Sequence, residues 1–86
     1  GMYGKSFEEQ FLTYSEAQKE ILIAIAKEGK ASAVTSMAFV RKHALKSPST
    51  VQSALRPLYE KELVTRQGDS YSITNRLFSI WLKKRY

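Results

Sequence analysis

The feature that most constrains the fold of this chain is a capped helix, within residues 45–63, that leads directly into a hairpin. Ser47 is a favourable N-cap residue, and Pro48 suits the first helical position, where a missing N–H costs nothing. The apolar residues that follow at helical spacing would form a buried face: Val51, Ala54, Leu55 and Leu58. The segment therefore predicts a helix with one face in a core and the other open to solvent.

Pro57 stands inside this helix and constrains its shape. A proline there removes the hydrogen bond to the Ser53 carbonyl and costs about 3 kcal/mol in an ideal helix interior. Because the apolar spacing continues through Pro57, we expect a bend towards the core, with the proline on the outer face. The alternative is a helix that ends near Arg56 and restarts at Pro57.

Residues 64–73 predict a β-hairpin, because Gly68 and Asp69 suit a two-residue turn of the primed type. The alternation of side chains then determines which residues of the two strands lie opposite each other. The expected pairs are Gln67 with Ser70, Arg66 with Tyr71, and Val64 with Ile73.

A helix is predicted ahead of this unit, around the apolar run "ILIAIA". Thr13 and Glu16 form a capping box that would begin it, and Ser15 with Gln18 is the alternative start. Gly29 would end it in a left-handed conformation. The connector "GKASAV" offers a short extended piece.

Two further helices complete the pattern. "TSMAFVRKHAL" predicts one helix with Thr35 as its candidate cap. "NRLFSIWLKKRY" predicts the last helix, capped by Asn75. The expected apolar face of the last helix consists of Leu77, Phe78, Trp81 and Leu82.

A chain of 86 residues supports one domain with a modest core. We expect residues 1–12 to form an N-terminal extension with a short helix, on which Phe7 and Phe11 share one face. Residues 13–86 would form the domain itself, and Gly1 is interpreted as a remnant of expression. The predicted class is mainly α (α+β), with a three-helix core, a short β-hairpin wing and a C-terminal helix.

The segment "STVQSALRPLYEKELVTRQGDSYSIT" resembles prokaryotic winged helix-turn-helix domains, in which a Ser/Thr-rich helix start precedes an A-L-x-x-L core, E-K-x-L-V and a short hairpin. The flanks "LTYSEAQKEILIAIAKEG" and "YSITNRLFSIWLKKRY" look like the C-terminal winged-helix domain of archaeal-type P-loop (AAA+) ATPases. The matching F-x-x-W-L tail is Phe78, Trp81 and Leu82. Members of that family often carry a basic or polar residue where Pro57 stands.

This resemblance implies a DNA-binding domain at the end of a larger cytoplasmic ATPase. The chain itself has no G-x-x-x-x-G-K-S/T phosphate loop, so the nucleotide site would lie on a preceding part and Met2 would be internal. Two alternatives stay open: a protein–protein or interdomain interaction module of that ATPase, or a stand-alone transcription regulator. The lack of a long dimerisation helix weighs against the regulator.

Charge is distributed unevenly along the chain, whose net charge is +6. Residues 1–40 hold four lysines against five glutamates, whereas residues 41–86 hold ten Lys or Arg against three acidic residues. Such asymmetry is typical of proteins with a polyanionic partner. An ordinary basic surface is the alternative interpretation.

The candidate contacts to duplex DNA follow from the helix-turn-helix plan, in which the start of the second helix of the motif meets base edges. Gln52 could pair with adenine, and Arg56 with guanine or a phosphate. The full set is Lys42, Lys46, Ser47, Ser49, Thr50, Gln52, Ser53, Arg56 and Arg66. The serines and the threonine are also what a helix start prefers, so the same surface could instead meet a protein.

Catalysis, metal binding and membrane insertion lack support in the sequence. His43 is the single histidine and has no acidic residue four positions away to orient it. The chain has no cysteine, and no apolar run approaches the roughly 20 residues of a membrane span. We therefore expect no enzyme activity, no metal, no cofactor and no membrane partner.

Overall fold

The computed structural model describes residues 2–86, which form five helices and a three-stranded antiparallel sheet of order β1-β3-β2. The elements are α1 (Met2–Leu12), α2 (Glu16–Glu28), β1 (Ala31–Ser32), α3 (Met37–Lys42), α4 (Pro48–Glu60), β2 (Val64–Gln67), β3 (Ser70–Ile73) and α5 (Arg76–Arg85). This order confirms the predicted mainly helical class with a hairpin wing and a C-terminal helix. Gly1 lies outside the described residues.

Helix α2 is the centre of the molecule. It packs against α4, α5 and the strands β1 and β3. Its buried residues are Ile21, Leu22, Ala24, Ile25 and Ala26. Burial of this apolar surface is the main stabilising contribution that a domain of this size has.

The start of α2 differs from the expected one. Ser15 Oγ accepts a hydrogen bond from the Gln18 backbone N–H, and the Gln18 side chain accepts one from the Ser15 N–H, so the alternative capping box is the one that forms. The prediction that Thr13 begins this helix was wrong. The Thr13 hydroxyl instead donates to the Gln10 carbonyl at 2.6 Å, where it closes the last turn of α1.

Helix α3 is also capped one residue later than expected. Ser36 Oγ, rather than the side chain of Thr35, accepts the hydrogen bond from the Phe39 N–H, at 3.1 Å. With the helix beginning at this point, Phe39 and Val40 are buried, while Met37 is half exposed. Thr35 and Ser36 are both suitable N-cap residues. The helix that begins after Ser36 is the one in which Phe39 and Val40 are buried.

Helix α4 forms as predicted. Ser47 Oγ accepts from the Thr50 N–H, and Pro48 occupies the first turn. The four buried residues are the expected ones, Val51, Ala54, Leu55 and Leu58. Pro57 lies inside the helix on an exposed position, and the helix continues through it to Glu60. The alternative of a restart at Pro57 is therefore wrong, and the expected bend towards the core stays a prediction.

The wing has the predicted register. The pairs between β2 and β3 are Val64 with Ile73, Thr65 with Ser72, Arg66 with Tyr71 and Gln67 with Ser70. Gly68 has φ 61° in the turn, a backbone conformation that primed hairpin turns require and glycine adopts readily. The connector after α2 supplies β1, which pairs with β3 and makes β3 the central strand.

Helix α1 packs against α5 through aromatic rings. Phe7 lies 5.3 Å from Phe78, and Phe11 lies 5.3 Å from Tyr86, measured between ring centroids. Trp81 is half-buried between them, with its ring 6.0 Å from that of Phe7. Phe7 and Phe11 are thus part of the same core as α2, and the predicted boundary at residue 12 stays a prediction.

Helices α3 and α4 both end in a Schellman motif built on a residue other than glycine. Ala44 and Glu62 have φ of 53° and 62°, a conformation that is uncommon for residues with a side chain. The Leu45 N–H bonds the Val40 carbonyl and the Leu63 N–H bonds the Leu58 carbonyl, which are the six-to-one bonds of the motif. Both joints are therefore sharp, hydrogen-bonded turns.

Helix α5 departs from its predicted apolar face at one position, and this provides a stability test. Leu82 is 0% exposed, whereas Leu77, which was expected on the apolar face, is 56% exposed. Leu82→Ala should lower the free energy of unfolding by about 2–5 kcal/mol, because it leaves a cavity. Leu77→Ala, the same change on the same helix, should cost about 0.5 kcal/mol or less. Urea unfolding followed by circular dichroism measures both, and equal losses would contradict the packing.

Candidate nucleic-acid interface

The outer face of α4 carries a row of exposed polar side chains in its first half. Ser49, Gln52, Ser53 and Arg56 are all exposed, while the buried face of the helix consists of Val51, Ala54, Leu55 and Leu58. We call these four residues the outward row. Since a helix places residues three and four apart on one side, the row presents a continuous polar surface.

Ser47 and Thr50 differ from the outward row because their side chains serve the helix start. Ser47 Oγ lies 2.8 Å from Thr50 Oγ1 and 3.2 Å from Ser49 Oγ, in addition to accepting from the Thr50 N–H. Both residues are half-buried. A DNA contact by either hydroxyl would compete with these bonds, so their role as contacts stays a prediction.

A groove of about 410 Å³ lies beside the outward row, between the starts of α2 and α4. Hydroxyl and amide side chains and two alanines line it, and no charged side chain does: Ser15, Ala17, Gln18, Ser49, Thr50, Ser53 and Ala54. Two helix N-termini, each with a partial positive charge, therefore flank one polar groove.

Arg56 has a partner that spacing alone could have revealed. Its Nε donates to Glu60 Oε1 at 3.0 Å, across one turn of α4, and both side chains are exposed. Exposed pairs of this kind contribute about 0.3–0.5 kcal/mol, so the guanidinium can exchange its partner at little cost. The Glu60 carboxylate nevertheless places a negative charge beside the row.

Arg66 is held against the end of α4 and does not project freely from the wing. Its guanidinium carbon lies 5.2 Å from the centre of the Tyr59 ring, a cation–π contact. Tyr71, its partner across the hairpin, lies 6.3 Å from the same ring. The contact between strand and helix was not predicted, because nothing local in the sequence links Tyr59 to Arg66.

The two candidate lysines have different surroundings. Lys46 is exposed, and within residues 2–86 it makes no ion pair. Lys42 Nζ lies 2.8 Å from Glu28 Oε2, so its charge is already partly compensated. Lys46 is therefore the better placed of the two for a phosphate.

His43 also has an acidic partner, which corrects the expectation that it lacks one. Its Nε2 lies 2.7 Å from the same Glu28 Oε2 that contacts Lys42. The ring is 11% exposed and packs against Phe39 at 4.6 Å. The partner was missed because it belongs to α2, fifteen residues earlier, rather than to the helix of His43 itself.

The pKa of Glu28 is lowered by this arrangement. The hydrogen bond from Lys42 is the largest cause, and the hydrogen bond from His43 is the second. One carboxylate oxygen thus joins the last turn of α2 to the last turn of α3 through two cationic or proton-donating groups.

Residues 2–86 contain no group of three or more His, Cys, Asp or Glu side chains arranged to hold a metal ion. None of their helices combines the length and the apolar character needed to cross a membrane.

Residues 5–84 match a family model described as "Probable winged helix domain". No curated protein and no solved structure matches the chain. The matched region extends from α1 into the last turn of α5, so it includes all or part of every element described above.

The shared contact of Glu28 predicts a pH-dependent stability. A carboxyl with a lowered folded-state pKa stabilises the fold above its ordinary pKa and loses that contribution as the pH falls through the lowered value. Glu28→Gln should therefore be less stable than the wild type at neutral pH, and the difference should shrink in strong acid. Urea unfolding at a series of acidic pH values measures this difference. When both proteins also carry Lys42→Gln, the stability difference caused by Glu28→Gln should be smaller at every pH. A difference that does not depend on pH would contradict the lowered pKa of Glu28.

Proposed function

The chain belongs to the family of probable winged helix domains, and we propose that it binds duplex DNA through the first half of α4 and the wing. Domains of this fold commonly bind DNA or proteins and are typically non-catalytic. The observation that supports DNA is the outward row, a polar surface with an arginine at its end and no part in the core.

The outward row has the chemistry of base recognition. An α-helix fits the major groove of B-DNA, where glutamine can make two hydrogen bonds to adenine and arginine can make two to guanine. Gln52 and Arg56 would fill these roles. Ser49 and Ser53 would contact phosphates or base edges, since a hydroxyl both donates and accepts.

Contacts to the DNA backbone would frame the row at both ends. Lys46 precedes α4, and Arg66 lies against its last turns through Tyr59. The N–H groups at the start of α4 would add a dipole that favours phosphate, because no acidic residue occupies the first turn. Lys42, Ser47 and Thr50 complete the proposed set, although each already has an intramolecular partner.

The charge balance favours DNA over a neutral protein surface. Residues 41–86 carry ten basic against three acidic residues. Of these three acidic residues, only Glu60 forms an ion pair with a basic residue of the proposed surface, Arg56. Each basic residue that neutralises a phosphate releases a counterion from the DNA, and this release raises the affinity of the domain for DNA. The Glu60 charge opposes this gain at one point.

Fluorescence anisotropy with labelled duplex DNA at several salt concentrations tests the proposal. Affinity should fall with a log–log slope of about −0.9 for each neutralised phosphate. Arg56→Ala should weaken binding to a preferred site by about 1–3 kcal/mol, whereas Glu60→Gln should strengthen it by freeing Arg56. Arg76→Ala is the matched control, because Arg76 is an exposed arginine on α5. Absence of binding even at low salt would contradict DNA binding and favour the alternative, a protein–protein or interdomain interaction module.

We also propose that the domain is the C-terminal part of a prokaryotic P-loop (AAA+) ATPase, working in the cytoplasm. The support is the resemblance of the two flanking segments, and in particular the tail of Phe78, Trp81 and Leu82, of which Phe78 and Leu82 are buried. The natural coding sequence upstream of Met2 tests it. An in-frame phosphate-binding loop would support the parent ATPase, whereas a stop codon and a promoter directly upstream would favour a stand-alone regulator.

A further inference from the structure

We infer that α5 carries a second docking surface, which accepts an acidic amphipathic helix from a protein partner. The first observation is apolar exposure on the outer side of α5. Leu77 is 56% exposed and Ile80 is 44% exposed, three residues apart on a helix whose other side buries Phe78 and Leu82. Contiguous exposed apolar surface with a polar rim is a feature of protein-binding sites.

A groove beside Ile80 gives this surface its shape. It has a volume of about 490 Å³ and lies between the end of α2, β3 and the outer side of α5. The buried residues Ala26 and Ile73 lie at its base, and Ser72 supplies a hydroxyl. Ile80 itself lines the groove, so the exposed aliphatic surface is continuous with it.

The rim of the groove is positively charged without compensation. Arg76 and Lys83 line it at a spacing of seven residues, on the same side of α5 as Ile80, and Lys84 is also exposed. Residues 70–86 contain no aspartate or glutamate. None of these three cations forms an ion pair within the described residues 2–86. A complementary partner therefore carries negative charge.

The combination of groove and rim favours a protein helix over nucleic acid. A phosphate backbone would satisfy Arg76 and Lys83 but would leave Leu77 and Ile80 against a strongly hydrated polyanion. An amphipathic helix in a groove uses apolar anchors at positions i, i+3, i+4 and i+7, and its flanking carboxylates would meet the basic rim. Such a helix would contact both the exposed aliphatic side chains and the basic rim of α5.

This surface is separate from the proposed DNA-binding face. Helix α2 packs against α4 and also against α5, so the two outer faces belong to different helices attached to the same buried one. The inference does not depend on DNA binding, and a domain with both surfaces would hold a protein partner and a duplex together.

Selection from a displayed library of random peptides of about 15 residues tests the inference, since isolated helices become marginally stable near this length. The library is selected on the wild-type domain and depleted on the Ile80→Asp variant. Enriched peptides should combine Asp or Glu with Leu, Ile, Phe or Met at helical spacing. Enrichment of basic or uncharged peptides would overturn the inference. So would a selection in which every enriched peptide still binds the Ile80→Asp variant.

Mapping of one enriched peptide by NMR completes the test. It should shift amide signals of β3 and α5, and Ile80→Asp should weaken its binding by about tenfold or more, equivalent to about 1.4 kcal/mol. Met37→Asp is the matched control, because Met37 is an apolar side chain of α3 that is 50% exposed; it should leave binding unchanged. Shifts of α5 signals by duplex DNA, or by raised concentration of the domain alone, would assign the surface to nucleic acid or to a second copy and overturn the inference.

Discussion

Burial of α2 on several sides at once is the constraint on which the rest of this structure depends. The helix contacts α4, α5 and two strands, and five of its thirteen residues are buried. In a chain of 86 residues no second core can form, so every other element must pack against this helix or against one that does. The short capping box at Ser15 and the end at Gly29 limit α2 to the length that these neighbours cover.

A consequence of this arrangement is that both candidate binding surfaces lie outside the packing that supports the fold. The outward row of α4 and the outer side of α5 face away from α2, and among the side chains described, those of residues 4–86, no polar one is fully buried. The Glu28 contact is the main polar link between core helices, and it lies at the edge, where the carboxylate remains partly exposed. Binding at either surface therefore need not disturb the core.

The sequence predicted those parts that depend on local periodicity. The buried face of α4 and the register of the hairpin follow from spacings of 3.6 and 2, and both are confirmed. Leu77 was misplaced because the apolar pattern of α5 is wider than the surface that α1 and α2 can cover. The partners of His43 and Arg66 could not be predicted, since each contact joins elements whose relative position is a property of the tertiary structure. The function of the candidate DNA contacts stays a prediction.

The joints around α4 make the domain a scaffold whose binding surface can be rewritten. Ala44 and Glu62 set the path of the chain before and after this helix through their left-handed backbone, and the buried face of α4 anchors it to α2. The outward row belongs neither to these turns nor to the buried face of α4. A designer could graft a different set of side chains onto positions 49, 52, 53 and 56 and keep the same presentation, provided that Ala44 and Glu62 are left alone or replaced by glycine.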